Sequence, residues 1–294
     1  MGEDFGHLIT AMVTPFDEKF QVDYDGAGAL AKYLADSGSD SLVVAGTTGE
    51  SPTLTIDEKA KLFKTVVESV QGKVKVIAGT GSNSTRQSVE ITRRAEEVGV
   101  DGLMLVVPYY NKPPQEGLYQ HFKEIASSTN LPIMLYNVPG RTSVNLAAPT
   151  TIRLAEIDNI FSIKEASGDL DQVSLIVKET PDDFLVYSGD DSMTMPTLSV
   201  GGHGVVSVSG HIVPREIKAM IAAFFSGDVK KAAEYHGKLM TVFKGMFIST
   251  NPVPVKTALN LLGKQVGPVR LPLIGMNREQ VNSLENILKE AGVL

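Results

Sequence analysis

The chain contains no cysteine. It can therefore form no disulfide and cannot use a thiolate as nucleophile or metal ligand, which fits a reducing compartment such as the cytosol. It also lacks any Lys/Arg-dense stretch. With 27 basic and 34 acidic residues the net charge is −7, which speaks against a nucleic-acid surface, since such surfaces are built from clustered cations. Small anions would have to be gripped by individual residues. No long apolar run is present either: the densest, Gly102 to Tyr110, falls far short of the roughly 18 residues that span a bilayer. The start, Met1-Gly2-Glu3-Asp4-Phe5-Gly6, is acidic and lacks the apolar core of a secretory signal, and Gly6 stands where a myristoylation signal has Ser or Thr. These absences lead to the expectation of a soluble, cytoplasmic protein. At 294 residues, 43% hydrophobic and 21% charged, the chain can bury a sizeable core as one large domain or two ordinary ones.

What is present is an alternation of short apolar runs with amphipathic segments, the pattern of successive βα units. Strands are expected at His7 to Val13, Ser41 to Ala45, Lys75 to Ala78, Gly102 to Val107, Leu131 to Tyr136, Ile160 to Lys164, Phe184 to Tyr187 and Gly204 to Val208. Helices are expected at Tyr24 to Ser37, Asp57 to Val70, Ser84 to Val98, Gln115 to Ser128, Pro149 to Ala155, Leu170 to Glu179, Ser192 to Val200 and Pro214 to Phe225. Asp57 and Pro214 suit helix starts, one by capping free amides and the other by its fixed first-turn geometry. The strands show no period-2 alternation, as expected when both faces are covered.

Eight such units, spaced roughly 20 to 34 residues apart, leave room for one crossover helix each and argue for a closed (β/α)8 barrel of the TIM type. An open doubly wound sheet would carry a glycine-rich loop after its first strand, but Thr14-Pro15-Phe16-Asp17 stands there. Gly79-Thr80-Gly81-Ser82-Asn83-Ser84 has Ser84 in place of the third glycine, which argues against a dinucleotide site. Beyond the eighth unit, Asp228 to Phe247, Pro254 to Leu262 and Asn277 to Ala291 read as helices. The expected organisation is a catalytic barrel over residues 1–226 with C-terminal helices, 227–294, packed on it.

Active sites of such barrels form at the carboxyl ends of the strands. Here those ends read Gly46-Thr47-Thr48-Gly49-Glu50, Pro108-Tyr109-Tyr110-Asn111, Tyr136-Asn137-Val138-Pro139-Gly140-Arg141-Thr142, Lys164-Glu165-Ala166-Ser167-Gly168-Asp169 and Ser188-Gly189-Asp190-Asp191. Each residue alone has an ordinary reading: Lys164 a strand-end lysine returning its head to solvent, Thr47 and Thr48 turn brackets, Tyr110 and Tyr136 rim packing, Arg141 a surface ion pair. Together they supply an amine, phenol and hydroxyl proton carriers, and a cation able to grip a carboxylate in bidentate fashion. Taking a lysine head out of water withdraws the hydration that favours its ammonium form, and a neutral amine is what imine chemistry with a carbonyl requires. The set fits carbonyl chemistry on a small keto acid.

Other groupings are weaker. His7, His121, His203, His211 and His236 show no metal-ligand spacing, and without cysteine a zinc site is not expected. Asp190-Asp191 suits a capped helix start better than a metal site, because consecutive side chains diverge. Gly201-Gly202-His203-Gly204 reads as a tight lead-in to the eighth strand, and no Gly-x-Ser-x-Gly elbow suggests a serine hydrolase.

The segments Gly46 to Glu50, Tyr136 to Thr142, Ile163-Lys164-Glu165-Ala166-Ser167-Gly168-Asp169 and Ser188 to Asp191 resemble the signatures of the dihydrodipicolinate synthase and N-acetylneuraminate lyase superfamily of class I, Schiff-base aldolases. The likeness runs from Thr10-Ala11-Met12-Val13-Thr14-Pro15-Phe16 to Asn251-Pro252-Val253-Pro254-Val255-Lys256. Paired Thr47-Thr48 and Arg141 resemble the synthase branch, because the lyases typically have serine at the first position and lack the arginine. The resemblance implies condensation of pyruvate with aspartate semialdehyde in lysine and diaminopimelate biosynthesis, with no metal or organic cofactor. It makes Lys164 the Schiff-base nucleophile and Tyr136 the proton carrier, with Thr47 and Tyr110 completing a relay. It makes Thr48 and the backbone near Val206 the hold on the pyruvate carboxylate, Gly189 a further substrate-binding residue, and Arg141 the grip on the carboxylate of the second substrate. It further implies a homodimer or homotetramer in which Tyr110 reaches the neighbouring subunit's site.

One departure concerns regulation. Lysine-inhibited members resemble one another around an interface cleft where a histidine and a glutamate hold the effector. The corresponding positions here are Lys59 and Gln87, near Pro52 and Ile56, whereas Ser51, Asn83 and Tyr109 match the pattern. Weak or absent lysine feedback is therefore expected. Two other functions stay open on the residues alone: a pyruvate-dependent aldolase of 2-keto-3-deoxy sugar acids, using the same Lys164 and Tyr136, and a noncatalytic small-molecule binder on the same scaffold.

Overall fold

The computed structural model describes residues 4–294; the reading of the N-terminus as no targeting signal falls partly outside them. Eight strands, β1 (Leu8–Ala11), β2 (Ser41–Val44), β3 (Lys75–Gly79), β4 (Gly102–Val106), β5 (Ile133–Asn137), β6 (Ile160–Glu165), β7 (Leu185–Ser188) and β8 (Gly204–Ser207), pair in parallel and in sequence order, and β8 closes on β1. This is the expected (β/α)8 barrel. Inward residues such as Ile9, Val43, Ile77, Met104, Met134 and Val206 form one apolar cluster, and outward ones such as Leu42, Val44, Leu103, Leu105 and Ile163 form a second beneath the helices. Because both faces are buried in hydrocarbon, the geometric alternation of each strand leaves no polar–apolar alternation in the sequence.

The helices between strands are α1 (Tyr24–Ser37), α2 (Ile56–Val70), α3 (Thr85–Glu97), α4 (Gln115–Ala126), α5 (Pro139–Thr142), α6 (Ala148–Leu154), α7 (Leu170–Glu179), α8 (Thr194–Ser199) and α9 (Pro214–Phe225). Three details differ from expectation. Helix α2 is capped by Thr55, not Asp57: the Thr55 hydroxyl accepts from the Glu58 amide while the Glu58 carboxylate accepts from the Thr55 amide. That reciprocal pair satisfies two orphan donors at once, and Asp57 instead sits in the first turn, where its charge complements the helix dipole. The short helix α5, opened by Pro139, was not anticipated, because four residues are too few for a periodic signal. Before α8, the Asp190 carboxylate accepts from the Ser192 amide and closes a separate 3-10 turn, Asp191–Met193. Pro214 does occupy the first turn of α9.

Helices α10 (Val229–Gly245), α11 (Val253–Leu261) and α12 (Arg278–Glu290) follow the barrel. They bury Leu239, Val242, Phe243, Leu259, Leu284 and Leu288 in the same outer cluster that covers the strands. Their apolar stripes therefore extend the barrel's outer core.

Candidate active site

The carboxyl ends of β2, β4 and β5 surround a cavity of about 250 Å³ whose walls include Thr47, Met104, Tyr109, Tyr136 and Arg141. Tyr136 comes from β5, and its backbone is in register with Lys164 of β6, which is in turn in register with Tyr187 of β7. Residues in register across parallel strands share a face, so Tyr136 and Lys164 enter the barrel side by side. Both are buried, and the Lys164 ammonium lies 4.3 Å from the centroid of the Tyr136 ring. At this range the ring face attracts the cation and holds the two groups together.

Gly189, just past β7, makes room for that lysine. A Cβ built there would lie 2.6 Å from Ala166 Cβ and 3.1 Å from Lys164 Cε. A side chain at this position would push on the lysine stem. Val206 of β8 is buried in the same interior cluster as Tyr136. Outward-facing neighbours brace the pair: the Asn137 amide donates to both oxygens of the buried Glu165 carboxylate, at 3.2 and 3.0 Å. Since Asn137 follows Tyr136 and Glu165 follows Lys164, this contact locks the two strand ends together.

Thr47 and Thr48 lie in the turn after β2. Thr47 faces the cavity, whereas Thr48 is buried and its hydroxyl accepts a 3.0 Å hydrogen bond from the Asn251 side-chain amide. The backbone carbonyl of Asn251 in turn accepts from the Arg141 guanidinium at 3.4 Å. Asn251, just before α11, thus bridges two of the predicted residues. Tyr110 stands apart. It is 89% exposed, with φ +75°, while Tyr109 takes the place at the wall of this chain's cavity.

The structure therefore brings Thr47, Tyr136 and Arg141 to one cavity, sets Lys164 against Tyr136 with Gly189 beside its stem, buries Val206 in the same interior cluster as Tyr136, and links Thr48 to Arg141 through Asn251. Sequence reasoning assigned no role to Asn251, Glu50 or Lys256. The signal was the proline-bracketed run Asn251-Pro252-Val253-Pro254-Val255-Lys256, which marked a rigid segment without showing what it touches. Of the two adjacent aspartates, Asp190 caps the turn as expected, while Asp191 is buried and accepts from the Ser207 hydroxyl and from the amides of Val208 and Ser209. Burial pushes the Asp191 carboxyl up from its ordinary value, against those hydrogen bonds. Among the described residues no group of three or more His, Asp or Glu is placed to hold a metal ion.

A buried lysine and a tyrosine thus stand side by side at the carboxyl end of a closed (β/α)8 barrel. The chain belongs to the dihydrodipicolinate synthetase family, whose sequence pattern matches residues 4–291. It is 59% identical over 290 residues to the 4-hydroxy-tetrahydrodipicolinate synthase of Moorella thermoacetica, covering 99% of both chains. To that of Bacillus subtilis it is 56% identical over 288 residues, covering 98% of this chain and 99% of the relative. Its fold superposes with a TM-score of 0.98, at 49% identity and 99% coverage of each chain, on the crystal structure of DHDPS from Cyanidioschyzon merolae with lysine bound.

Proposed function

We infer that this chain is a 4-hydroxy-tetrahydrodipicolinate synthase, a lyase that condenses pyruvate with L-aspartate 4-semialdehyde in lysine and diaminopimelate biosynthesis. Family membership at high identity over the full length supports the reaction. The observation that supports the residue roles is the Lys164–Tyr136 pair beside the cavity that Thr47 and Arg141 line.

In this reading Lys164 Nζ adds to the pyruvate carbonyl carbon and the carbonyl oxygen leaves as water, taking up a proton from the Tyr136 phenol, which gives a protonated imine beside a phenolate. The imine withdraws electrons from the adjacent methyl, Tyr136 takes the methyl proton, and an enamine forms. The enamine carbon attacks the aldehyde of the second substrate, whose oxygen takes up a proton. The amino group of that substrate then displaces Lys164 by transimination, closing the ring and freeing the enzyme. This sequence asks for no metal or organic cofactor. Thr47 relays protons, Thr48, Val206 and Gly189 shape the pyruvate site, and Arg141 grips the carboxylate of aspartate semialdehyde.

Tyr110 belongs to the same reading as the relay residue that one protomer lends to its partner; its exposure in the single chain supports this. The assembly is a homotetramer built from such pairs. The barrel, 1–226, and the C-terminal helices, 227–294, act as one catalytic unit, since Asn251 touches both Thr48 and Arg141. No helix among the described residues is long and apolar enough to cross a membrane; a cytoplasmic location belongs to the same proposed reading.

A coupled assay following consumption of pyruvate and aspartate semialdehyde, run beside cleavage of 2-keto-3-deoxy sugar acids, tests the function. Condensation without sugar-acid cleavage is expected. Cleavage without condensation would replace the synthase reading by the aldolase one, and neither activity would point to a binder.

A further inference from the structure

Lys256, on α11, is a buried cation that the reaction does not consume. Its side chain is 2% exposed, and its ammonium lies 2.9 Å from Glu50 Oε1 and 2.9 Å from the Thr14 carbonyl, with the Pro268 carbonyl as a third acceptor. It also sits 4.2 Å from the centroid of the Phe16 ring. A protonated amine has three N–H groups, and here each meets an acceptor from a different stretch of chain: the loop after β1, the turn after β2 and the segment after α11. A neutral amine could not donate to all three.

The turn held in this way is the one that carries Thr47 and Thr48. Glu50 closes it by donating its amide to the Thr47 carbonyl at 3.1 Å, and it does so at φ +54°, in the left-handed region that non-glycine residues seldom occupy. Such a conformation persists where the surroundings over-determine it. Those surroundings are visible: the second Glu50 oxygen accepts from the Arg270 amide at 2.8 Å, and the Thr14 hydroxyl donates to the Gly49 carbonyl at 2.7 Å. The side-chain anchors of Glu50 and the hold on the Gly49 carbonyl come from the loop after β1 and from the C-terminal segment, while the Glu50 carbonyl accepts from Thr53 just beyond the turn.

Stability is a poor explanation for this pair. Neutralising both members of a buried ion pair is often harmless or stabilising, whereas removing one leaves an uncompensated charge. We propose that Lys256 is a positioning residue, which through Glu50 holds the Thr47–Thr48 turn in place beside Tyr136, so that the C-terminal helices set the geometry of the pyruvate site. This rests on the reading that Thr47 and Thr48 serve that site.

The test uses the full-length enzyme with Lys256→Met, Glu50→Gln and the double substitution, each measured for thermal midpoint and for kcat and KM towards both substrates. Lys256→Met strands the Glu50 carboxylate and is expected to lower both midpoint and activity. The double variant recovers the midpoint, but its kcat/KM for pyruvate stays roughly 10-fold or more below wild type, since small misplacements of binding groups carry costs of that order. Glu50→Gln keeps shape and the two carbonyl acceptors of Lys256, so it tests the idea even if Lys256→Met does not fold, with a smaller loss in the same direction. Full activity in the double variant, or in Glu50→Gln, overturns the proposal. Wild-type turnover in the same assay separates the two levels: an inactive wild type defeats the functional reading itself, while active wild type and active double variant defeat only the role of Lys256.

Discussion

The Lys164 ammonium stands 4.3 Å from the ring centroid of Tyr136, and the two residues are paired in register across β5 and β6. The backbone ladder therefore sets their spacing, and the Asn137–Glu165 contact next to each of them prevents the strand ends from drifting. In their proposed roles as nucleophile and proton carrier, two groups held by adjacent strands need little rearrangement when substrate arrives.

Tyr136→Phe removes the phenol while keeping the ring under Lys164. The expected result is a fall in kcat of about 10²- to 10⁴-fold, the usual worth of a positioned acid–base group, with a much smaller change in the KM for pyruvate. Steady-state kinetics check this, and an unchanged kcat would remove Tyr136 from proton transfer.

Arg141→Ala separates the two substrates. Losing a charged hydrogen-bond donor costs about 1.5–3 kcal/mol, so kcat/KM for aspartate semialdehyde should drop roughly 10- to 100-fold, while pyruvate still forms its adduct on Lys164. Turnover near the wild-type level would favour a smaller or uncharged second substrate.

Lysine should inhibit weakly or not at all. Lys59, which stands where lysine-inhibited members resemble one another in holding the effector, is buried on α2, where burial pushes its ammonium down to about 8, so it stays largely cationic at neutral pH. Gln87 supplies no compensating anion; its side-chain oxygen accepts from the Ser82 hydroxyl at 3.1 Å. Titration of the purified enzyme with lysine checks this, and inhibition at nanomolar to micromolar lysine would contradict it.

Acid should destabilise the fold through two neutral histidines. The Nδ1–H of His211 donates to the Val208 carbonyl and its Nε2 accepts from the Val13 amide, while His121 shares a hydrogen bond with Thr85. Burial pushes both down to about 4. Between about pH 6.5 and 4 the unfolded chain binds protons that the native one refuses, so stability falls as pH drops through that window, by up to about 1.4 kcal/mol per pH unit for each histidine. Urea midpoints at pH 7 and pH 5 measure the slope. A flat response would mean that these histidines charge without cost.

The barrel was legible because each βα unit leaves a local mark: an apolar run of strand length, then a helical period with a polar start. Element ends were less so, since Thr55 rather than Asp57 caps α2 and Pro139 opens a four-residue helix too brief to show a period. The residues at the strand ends could be read because the barrel gathers them on one face. What stayed hidden depends on contacts across long separations, as when Lys256 meets Thr14 and Glu50, or Asn251 meets Thr48. Nothing local in the run Asn251 to Lys256 tells that its two polar side chains turn towards the loops after β1 and β2. Tyr110, read from its strand end as a relay residue, lies outside the cavity within one chain.

The central claim is that Lys164 forms an imine with pyruvate. Incubation of the enzyme with pyruvate, reduction with borohydride and peptide mass spectrometry measure this directly. The account predicts a pyruvate-derived adduct on the peptide carrying Lys164, absent without pyruvate and absent in Lys164→Ala. No adduct, or an adduct confined to another lysine, would contradict it.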